Sequence, residues 1–373
     1  MPCGPPSSAG DGSRGRKEGR FGKGARIAAR ERGDRTMKRS FRFAFLILAT
    51  LTLAVGPAAG VDKAGWPDQL RFMAGPPGGN WFALGTALAD MWTGAGLPQT
   101  TSSSGGGVAN IVNANNAKGD LGFSVTSMVG AATQEGGVDF TKGQKMENAV
   151  IMANLYTQYT YFIMRRDFAE KNGVKSLGDV IDKKLKMRFA TLKPGTSSEF
   201  VVKALFDKGY GFDYKKTFEE WGGTVEYASY EGGADLLADN HLDCFAFSVG
   251  KVASIVMNIE SKLDVVLLPV GQEALDRLSA AYGTETFTID PGIYKAVPEG
   301  AEPVKTVGDY TCIVIRRDLP DSLVFELNRA LWEHRDSLVA AVKDMEELDP
   351  AAAVPARVPS HPGSDAFWKT VAK

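Results

Sequence analysis

Two stretches of the sequence, 117 residues apart, repeat the same order of parts. Each has an apolar run, a loop rich in glycine or hydroxyl residues, and apolar residues at helical spacing: RFMAGPPGGNWFALGTALAD (71–90) and RFATLKPGTSSEFVVKALFD (188–207). A strand-like run with Asp and Phe-Ser follows each of them, GDLGFSVTS and LDCFAFSVG. Strand, loop and helix in this order are typical of half a parallel α/β sheet. The repeat therefore predicts two α/β lobes of similar build.

The loops of this repeat are candidate ligand sites. Glycine lets backbone N–H groups face a ligand, and a helix N-terminus adds partial positive charge. A third loop, TTSSSGGG, supplies further hydroxyl and backbone donors without a formal charge. The predicted binding residues are Gly78, Gly79, Asn80, Trp81, Phe82, Ser104, Gly105, Gly106, Gly107, Ser124, Gly195, Thr196, Ser197 and Ser198. Two alternatives stay open: capped helices that only pack on a sheet, and a flexible surface loop at 101–107.

The donors of the loops suit a carboxylate held between facing helix N-termini. Ligands of open α/β sheets bind at the carboxyl ends of strands, here in a cleft between the lobes. Lys193 either meets a second acidic group of the ligand or is a solvated loop lysine. We expect crossovers near Asn154–Arg166 and Leu263–Gly271. The predicted first lobe is then 61–159 and 263–373, and the second is 160–262.

Motifs for other chemistry are missing from the sequence. GPPGGNW lacks the Gly-Lys-Ser of a phosphate-binding Walker loop, and its glycine intervals do not fit a dinucleotide site. His241, His334 and His361 lie far apart and predict surface or capping roles; there is no G-x-S-x-G. Neither a cofactor, a metal nor a catalytic residue is predicted. Adjacent acidic pairs such as Glu346-Glu347 indicate solvated helix faces.

The N-terminus indicates export. Lys38 and Arg39 precede a 13-residue apolar core, Phe43–Val55, which is short for a membrane span of about 20 residues. Residues 37–60 therefore predict a signal peptide and a periplasmic location, with an uncleaved anchor as the alternative. Residues 1–36 predict a disordered or spurious extension, so that translation would start at Met37. They hold no motif.

The net charge of the chain argues against nucleic acid as a partner, and the positions of the cysteines argue against a disulfide. Of 43 basic and 44 acidic residues, 12 and 4 lie in residues 1–60, so the remainder has a net charge of −9. An acidic chain without a basic block is unsuited to nucleic acid. Cys244 and Cys312 both lie in apolar runs, which favours two buried thiols over a disulfide.

Five motifs in order resemble one family of solute receptors. AGPPGGNWFALGTALA, GGGVANI, LKPGTSSEFVVKAL, HLDCFAFSVG and SHPGSDAFW resemble motifs of the TAXI (TRAP-associated extracytoplasmic immunogenic) receptors, which serve tripartite ATP-independent periplasmic (TRAP) transporters. The chain departs from the family pattern at Asn80, Phe82, Gly107 and Ser197. The first three departures alter side-chain donors in the expected cleft.

The resemblance implies a two-lobed, type II periplasmic-binding-protein fold with a hinge. It also implies a monomeric, non-enzymatic receptor that delivers a small organic anion, such as an amino acid or dicarboxylate, to TRAP membrane subunits. Two alternatives remain: a receptor for an ATP-driven importer or sensor kinase, and an enzyme on the same fold with Cys244 as nucleophile.

Overall fold

The computed structural model describes residues 62–75 and 80–372. The predicted extension (1–36) and signal peptide (37–60) lie outside the described residues, as do Gly78 and Gly79 of the first loop. Within the part of the chain that is described, no helix combines the length and apolar character needed to cross a membrane.

The strands of the described residues form one mixed sheet in the order β2-β1-β3-β10-β4-β7-β5-β6, with β8 paired to β4 and β9 to β10. Their bounds are β1 Gln69–Met73, β2 Gln99–Ser103, β3 Leu121–Val125, β4 Ala149–Arg165, β5 Arg188–Thr191, β6 Thr224–Tyr227, β7 Cys244–Val249, β8 Val265–Leu267, β9 Glu285–Ile289 and β10 Val304–Arg316.

The sheet has two halves of the same topology. In the first half β1 lies between β2 and β3, and in the second half β5 lies between β6 and β7, with parallel pairing throughout. Each central strand leads through a glycine-containing loop into a helix, so the duplicated unit inferred from the sequence is confirmed. This two-lobed α/β architecture is the predicted fold class.

Two long antiparallel strands, β4 and β10, join the halves. β10 pairs with β3 at one end and β9 at the other, and β4 pairs with β10 along 149–159 and with β7 along 159–164. The crossover predicted at Asn154–Arg166 lies in β4. The crossover predicted at Leu263–Gly271 differs, because that segment contains β8, which pairs with β4 inside the second half. β10 makes the second crossing instead.

Helices cover both faces of the sheet. They are α1 Asn80–Gly94, α2 Gly107–Asn115, α3 Thr126–Ala132, α4 Arg166–Asn172, α5 Leu177–Asp182, α6 Ser197–Ala204, α7 Tyr214–Glu220, α8 Tyr230–Ala238, α9 Ser254–Lys262, α10 Gln272–Tyr282, α11 Asp321–Glu333, α12 Arg335–Ala341 and α13 Pro362–Val371. A π-helix, Leu205–Tyr210, continues α6, and 3₁₀ helices form at Asp139–Thr141 and Lys343–Glu347.

Each half has its own apolar core. In the first half, Phe72 of β1 and Trp92 of α1 pack in one cluster with Trp368 of α13, so that both ends of the described chain meet. In the second half, Phe189 of β5 packs against Phe206 of the π-helix. Segments after β7 also belong there, because residues of 265–297 pack in the two clusters of the second half. Burial of these large side chains is the main stabilising term.

A buried aspartate ties the middle of β1 to the start of β3. Asp120 accepts from the backbone N–H of Arg71 at 2.8 Å, from Arg71 Nε at 3.0 Å and from Arg316 Nη1 at 2.9 Å. Asp243 and Arg188 repeat this arrangement at the start of β5, where the backbone N–H bond measures 2.7 Å. Burial alone would raise the pKa of Asp120, but the hydrogen bonds from Arg71 and Arg316 outweigh it, and the pKa is lowered.

We expect Asp120→Asn to lower the free energy of unfolding by about 2–3 kcal/mol at pH 7. The value is below the 3–5 kcal/mol typical of a fully buried pair because Arg71 stays half-exposed. The folded-state pKa is depressed, so the carboxylate's contribution is complete above its unfolded pKa of about 3.9 and is lost as the pH falls through the folded value. Urea unfolding at pH 7 and pH 3 measures both effects.

Asp318→Asn is the control for this variant. Asp318 also binds Arg316, with 2.7 Å between Oδ2 and Nη2, but its side chain is 54% exposed. Removing an exposed partner costs about 1 kcal/mol or less. Equal losses for the two variants, or an Asp120→Asn deficit that grows as the pH falls, would contradict the assignment.

Two further predictions concern the state of the cysteines and the roles of the histidines. Cys244 and Cys312 are both unpaired and buried, as the sequence favours. His361 caps a helix, which is one of the two roles predicted for the histidines. Its side chain is fully buried and is not at the surface. Its Nδ1 accepts from Gly363 N–H at 3.1 Å and its Nε2 lies 3.1 Å from Leu319 O. Burial lowers the pKa of the ring, so the neutral form starts α13.

Candidate functional site

A cleft of about 450 Å³ opens where the two halves face each other, at the carboxyl ends of the central strands. This volume is in the range of small-molecule sites. Its lining residues come from both halves and from β4: Asn80, Trp81, Gly106, Gly107, Tyr156, Gln158, Leu192, Gly195, Thr196, Ser197, Ser198, Tyr230, Ser248, Val249, Gly250 and Asp344. The cleft continues into a neighbouring cavity that shares Asn80, Tyr230 and Asp344.

Most of the predicted binding residues in the described chain meet at this cleft. Those that line it are Asn80, Trp81, Gly106, Gly107, Gly195, Thr196, Ser197 and Ser198. Four others do not line it: Phe82, Ser104, Gly105 and Ser124. Ser124 is fully buried beneath α2, where its hydroxyl donates to Gly107 O at 3.3 Å. Gly105 packs on Asn110, whose Oδ1 would clash with a Cβ at this glycine.

Asn110 holds the first-half wall of the cleft in place. Its Nδ2 lies 2.8 Å from Met73 O, 3.0 Å from Ala74 O and 2.8 Å from Phe123 O, so its two N–H groups are shared among these three carbonyl groups. Its Oδ1 accepts from Gly106 N–H at 3.1 Å. One fully buried amide thus ties β1, β3 and the start of α2 together. The N-terminus of α2 is fixed relative to the sheet as a result.

The second-half wall is fixed by hydroxyl groups. Ser198 Oγ lies 3.1 Å from both the backbone N and O of Ser248, which docks the start of α6 on the end of β7. Tyr230 Oη donates to the same Ser248 O at 2.9 Å. Thr196 caps α6 by accepting from Glu199 N–H at 3.2 Å. The hydroxyl of Ser198 is therefore engaged within the protein.

Apolar and polar side chains form the base of the cleft. The Trp81 ring packs on Phe123 with 5.7 Å between centroids, and its Nε1 lies 3.4 Å from Thr311 Oγ1. Gln158 Nε2 donates to the same hydroxyl at 3.0 Å. These contacts connect α1 with β4 and β10, the two strands that cross between the halves.

The cleft is a concentration of helix N-termini. α1, α2 and α6 begin at lining residues, and Tyr230 begins α8. The first N–H groups of an α-helix have no acceptor inside the helix, and together they carry a partial positive charge. The arrangement offers donors to a carboxylate from both sides.

Asp344 is the one charged residue in this lining. Burial raises the pKa of its carboxyl group, the negative charge of Glu347 raises it further, and the Asn80 side chain acts in the opposite direction. Lys193, a predicted alternative contact, is exposed and does not line the cleft. Sequence reasoning missed Asp344 because VKDMEELDP has the pattern of a solvated acidic segment.

Other residues of the lining were also not predicted from the sequence as ligand contacts. They include Tyr156, Gln158, Tyr230 and the segment Ser248–Gly250. Tyr156 and Gln158 lie mid-strand in β4, where no loop marks them. The Phe-Ser run that ends at Gly250 was recognised as part of the repeat, and this signal alone could have placed Ser248 at the edge of the sheet.

A second cavity of about 450 Å³ lies at the opposite ends of the strands of the second half. Its arginines are already in ion pairs, Arg165 with Asp167 at 2.7 Å and Arg188 with Asp243. It is lined by the second half alone, and no helix of the described residues begins there with a glycine-rich loop. The interlobe cleft is the stronger candidate.

Residues 72–370 match the family described as NMT1-like. The chain belongs to the NMT1-like family. The matched residues include both halves of the sheet and the residues that line the candidate cleft.

Solved structures similar to this NMT1-like protein include solute-binding proteins. A TctC solute binding protein from Polaromonas is 15% identical over 82% of this chain and 94% of its own, with a TM-score of 0.45. MatC (Rpa3494) from Rhodopseudomonas palustris with bound malate is 16% identical over 83% and 100%, with a TM-score of 0.43. R. palustris Rpa4515 with adipate is 16% identical over 82% and 97%, with a TM-score of 0.44.

Proposed function

We propose that the protein is an extracytoplasmic solute receptor that binds a small organic acid in the interlobe cleft. The observation that carries this proposal is the convergence of helix N-termini from both halves on one cavity. Gly106 and Gly107 would present backbone donors from the first half, and Gly195 to Ser198 from the second. Trp81 supplies an apolar wall.

The free energy of binding requires several contacts between the ligand and the protein. A helix N-terminus contributes roughly 0.3–2 kcal/mol, whereas micromolar affinity needs about 8 kcal/mol. Hydrogen bonds to a charged group at about 1.5–3 kcal/mol each make up the difference. Lining residues of both halves offer such donors, so we propose that the ligand touches both.

A ligand that bridges the halves favours the closed arrangement, because only contacts made in that state shift the population. We propose that the halves move as lobes on β4 and β10. We keep the predicted limits of the lobes, 61–159 with 263–373 and 160–262, as a proposal with one change. Because residues 265–297 pack in the second-half clusters, we propose to move that segment from the first lobe to the second.

We propose that the receptor is periplasmic, monomeric and non-enzymatic, and that it belongs to the TAXI branch serving TRAP membrane subunits. The five sequence motifs, which occur in the order typical of the TAXI receptors, support this assignment to the TAXI branch. Against the enzyme alternative, the Cys244 thiol is fully buried outside the cleft, and burial raises its pKa. A receptor for an ATP-driven importer or a sensor kinase is distinguished by reconstitution: uptake by TRAP subunits must need an ion gradient and no ATP.

The test of the function is a thermal-shift screen of organic acids on the purified protein, after native mass spectrometry to detect carried-over ligand. A ligand at 100 times its Kd adds about 2.7 kcal/mol, which raises the Tm of a chain of this length by roughly 4 °C. Small-angle scattering should then show a smaller radius of gyration with ligand. The absence of any shift across carboxylic acids, keto acids and amino acids would contradict the proposal.

A further inference from the structure

Asp344 belongs to the first half but faces the second. Its neighbours Val342 and Met345 are buried in the first-half core, which fixes the short 3₁₀ helix that carries it. A Cβ at Gly250, at the end of β7, would lie 3.7 Å from Asp344 Oδ2. The carboxylate is therefore held at the point where the halves approach, inside the lining of the cleft.

The charge of Asp344 has no cationic partner in the described part of the protein; its hydrogen-bonding neighbour is the neutral Asn80 side chain. None of the ion pairs found among residues 62–75 and 80–372 includes it, and the lining contains no Lys, Arg or His. Lys251 follows Gly250 in sequence but binds Asp290, with 2.6 Å between Nζ and Oδ2. Glu347 adds a second negative charge close by.

A ligand with only negative groups would face this carboxylate across a half-buried space. Like charges in such an environment repel more strongly than in water. A ligand with both a carboxylate and a positively charged group avoids the conflict, since helix N-termini and Asp344 then each meet the opposite sign.

We infer that the ligand is zwitterionic, with a protonated amine or similar cation bound by Asp344 and a carboxylate bound at the helix N-termini. This inference rests on the proposed function and narrows its ligand class to amino acids and comparable zwitterions. Asp344 is then the residue that selects amino acids over the acids that lack the amino group.

The experiment compares matched pairs of probes by calorimetry. Each α-amino acid is paired with the acid that lacks only the amino group, for example L-leucine with 4-methylpentanoate and L-glutamate with glutarate. The proteins are the unaltered chain, Asp344→Asn and the control Glu346→Gln. Glu346 is exposed in the same 3₁₀ helix, and it does not line the cleft.

We expect the unaltered protein and Glu346→Gln to bind at least one amino acid and to prefer it to its partner. Asp344→Asn should lose about 30-fold or more in affinity for that amino acid, as is typical when one member of a buried charge pair is removed. Its circular dichroism and Tm report whether the variant is folded.

Three results overturn the inference. Binding of the deaminated acids alone refutes it and leaves the proposed receptor function intact. An unchanged preference in folded Asp344→Asn refutes the role of this residue. Failure of both classes to bind to the unaltered protein refutes the proposed function together with the inference.

Discussion

Replacing Asn110 by alanine is expected to lower the free energy of unfolding by about 3–5 kcal/mol. The substitution removes a donor from three buried carbonyl groups, those of Met73, Ala74 and Phe123, and an acceptor from Gly106 N–H. Each buried polar group left without a partner costs about 1–3 kcal/mol. Urea unfolding monitored by tryptophan fluorescence measures the loss.

The same variant should bind its ligand at least about tenfold more weakly under conditions where it is folded, because the Gly106 wall is no longer fixed. Asn110→Asp makes the test sharper, since aspartate has nearly the same shape but its carboxylate cannot donate to the three carbonyl groups. It should be at least as unstable as the alanine variant.

Asn113→Ala is the matched control for both variants. Asn113 lies one turn further along α2 and is only partly buried, and its side chain makes no hydrogen bond to the described residues. Its loss should change stability by less than about 1 kcal/mol. If Asn110→Ala had the same free energy of unfolding as the unaltered protein, the Asn110 amide could not be the group that holds the loop before α2.

Replacing Gly106 by phenylalanine is expected to abolish ligand binding without unfolding the protein. Gly106 lines the cleft, its φ of −168° is extended backbone open to any residue, and a Cβ there would meet no heavy atom within 4 Å. The new ring therefore enters the cleft space and not the core. Affinity for the acid that gives the largest thermal shift should fall by about 100-fold or more, which is about 2.8 kcal/mol.

Gly94→Phe provides the comparison. Gly94 is at the exposed end of α1, and a Cβ there also meets no heavy atom within 4 Å, so the same group is added far from the cleft lining. Titration calorimetry and Tm should show unchanged binding. Tight binding by Gly106→Phe would exclude the interlobe cleft as the ligand site.

The sequence allowed the fold to be predicted where local pattern and topology agree. Glycine-led loops before helical periods identified the central strands β1 and β5, because a buried parallel strand followed by a capped helix has a strong local signature. The second crossing was misplaced because β8 and β10 are both apolar and β-prone, and pairing alone decides which of them returns to the first half.

The cleft was predictable only in part. Residues at helix starts, such as Gly107 and Ser197, could be found because glycine and hydroxyl residues mark those positions. Ser124 looked equally suitable, yet its strand lies beneath α2, and a sheet edge inferred from sequence does not show which side of a helix is open. Asp344 enters the cleft from the far end of the chain, and only tertiary packing brings it there.

The first-half core contains residues from both ends of the described chain, and this affects the order in which the molecule can fold. Phe72 and Trp92 need Trp368 and the residues around it to complete their packing, whereas the members of the second-half clusters all lie between residues 131 and 307. Contacts distant in sequence form late, since their loop closure must be overcome first. A nascent chain can thus build its second half early, whereas the first half can be completed only after residues 338–368 have been synthesised.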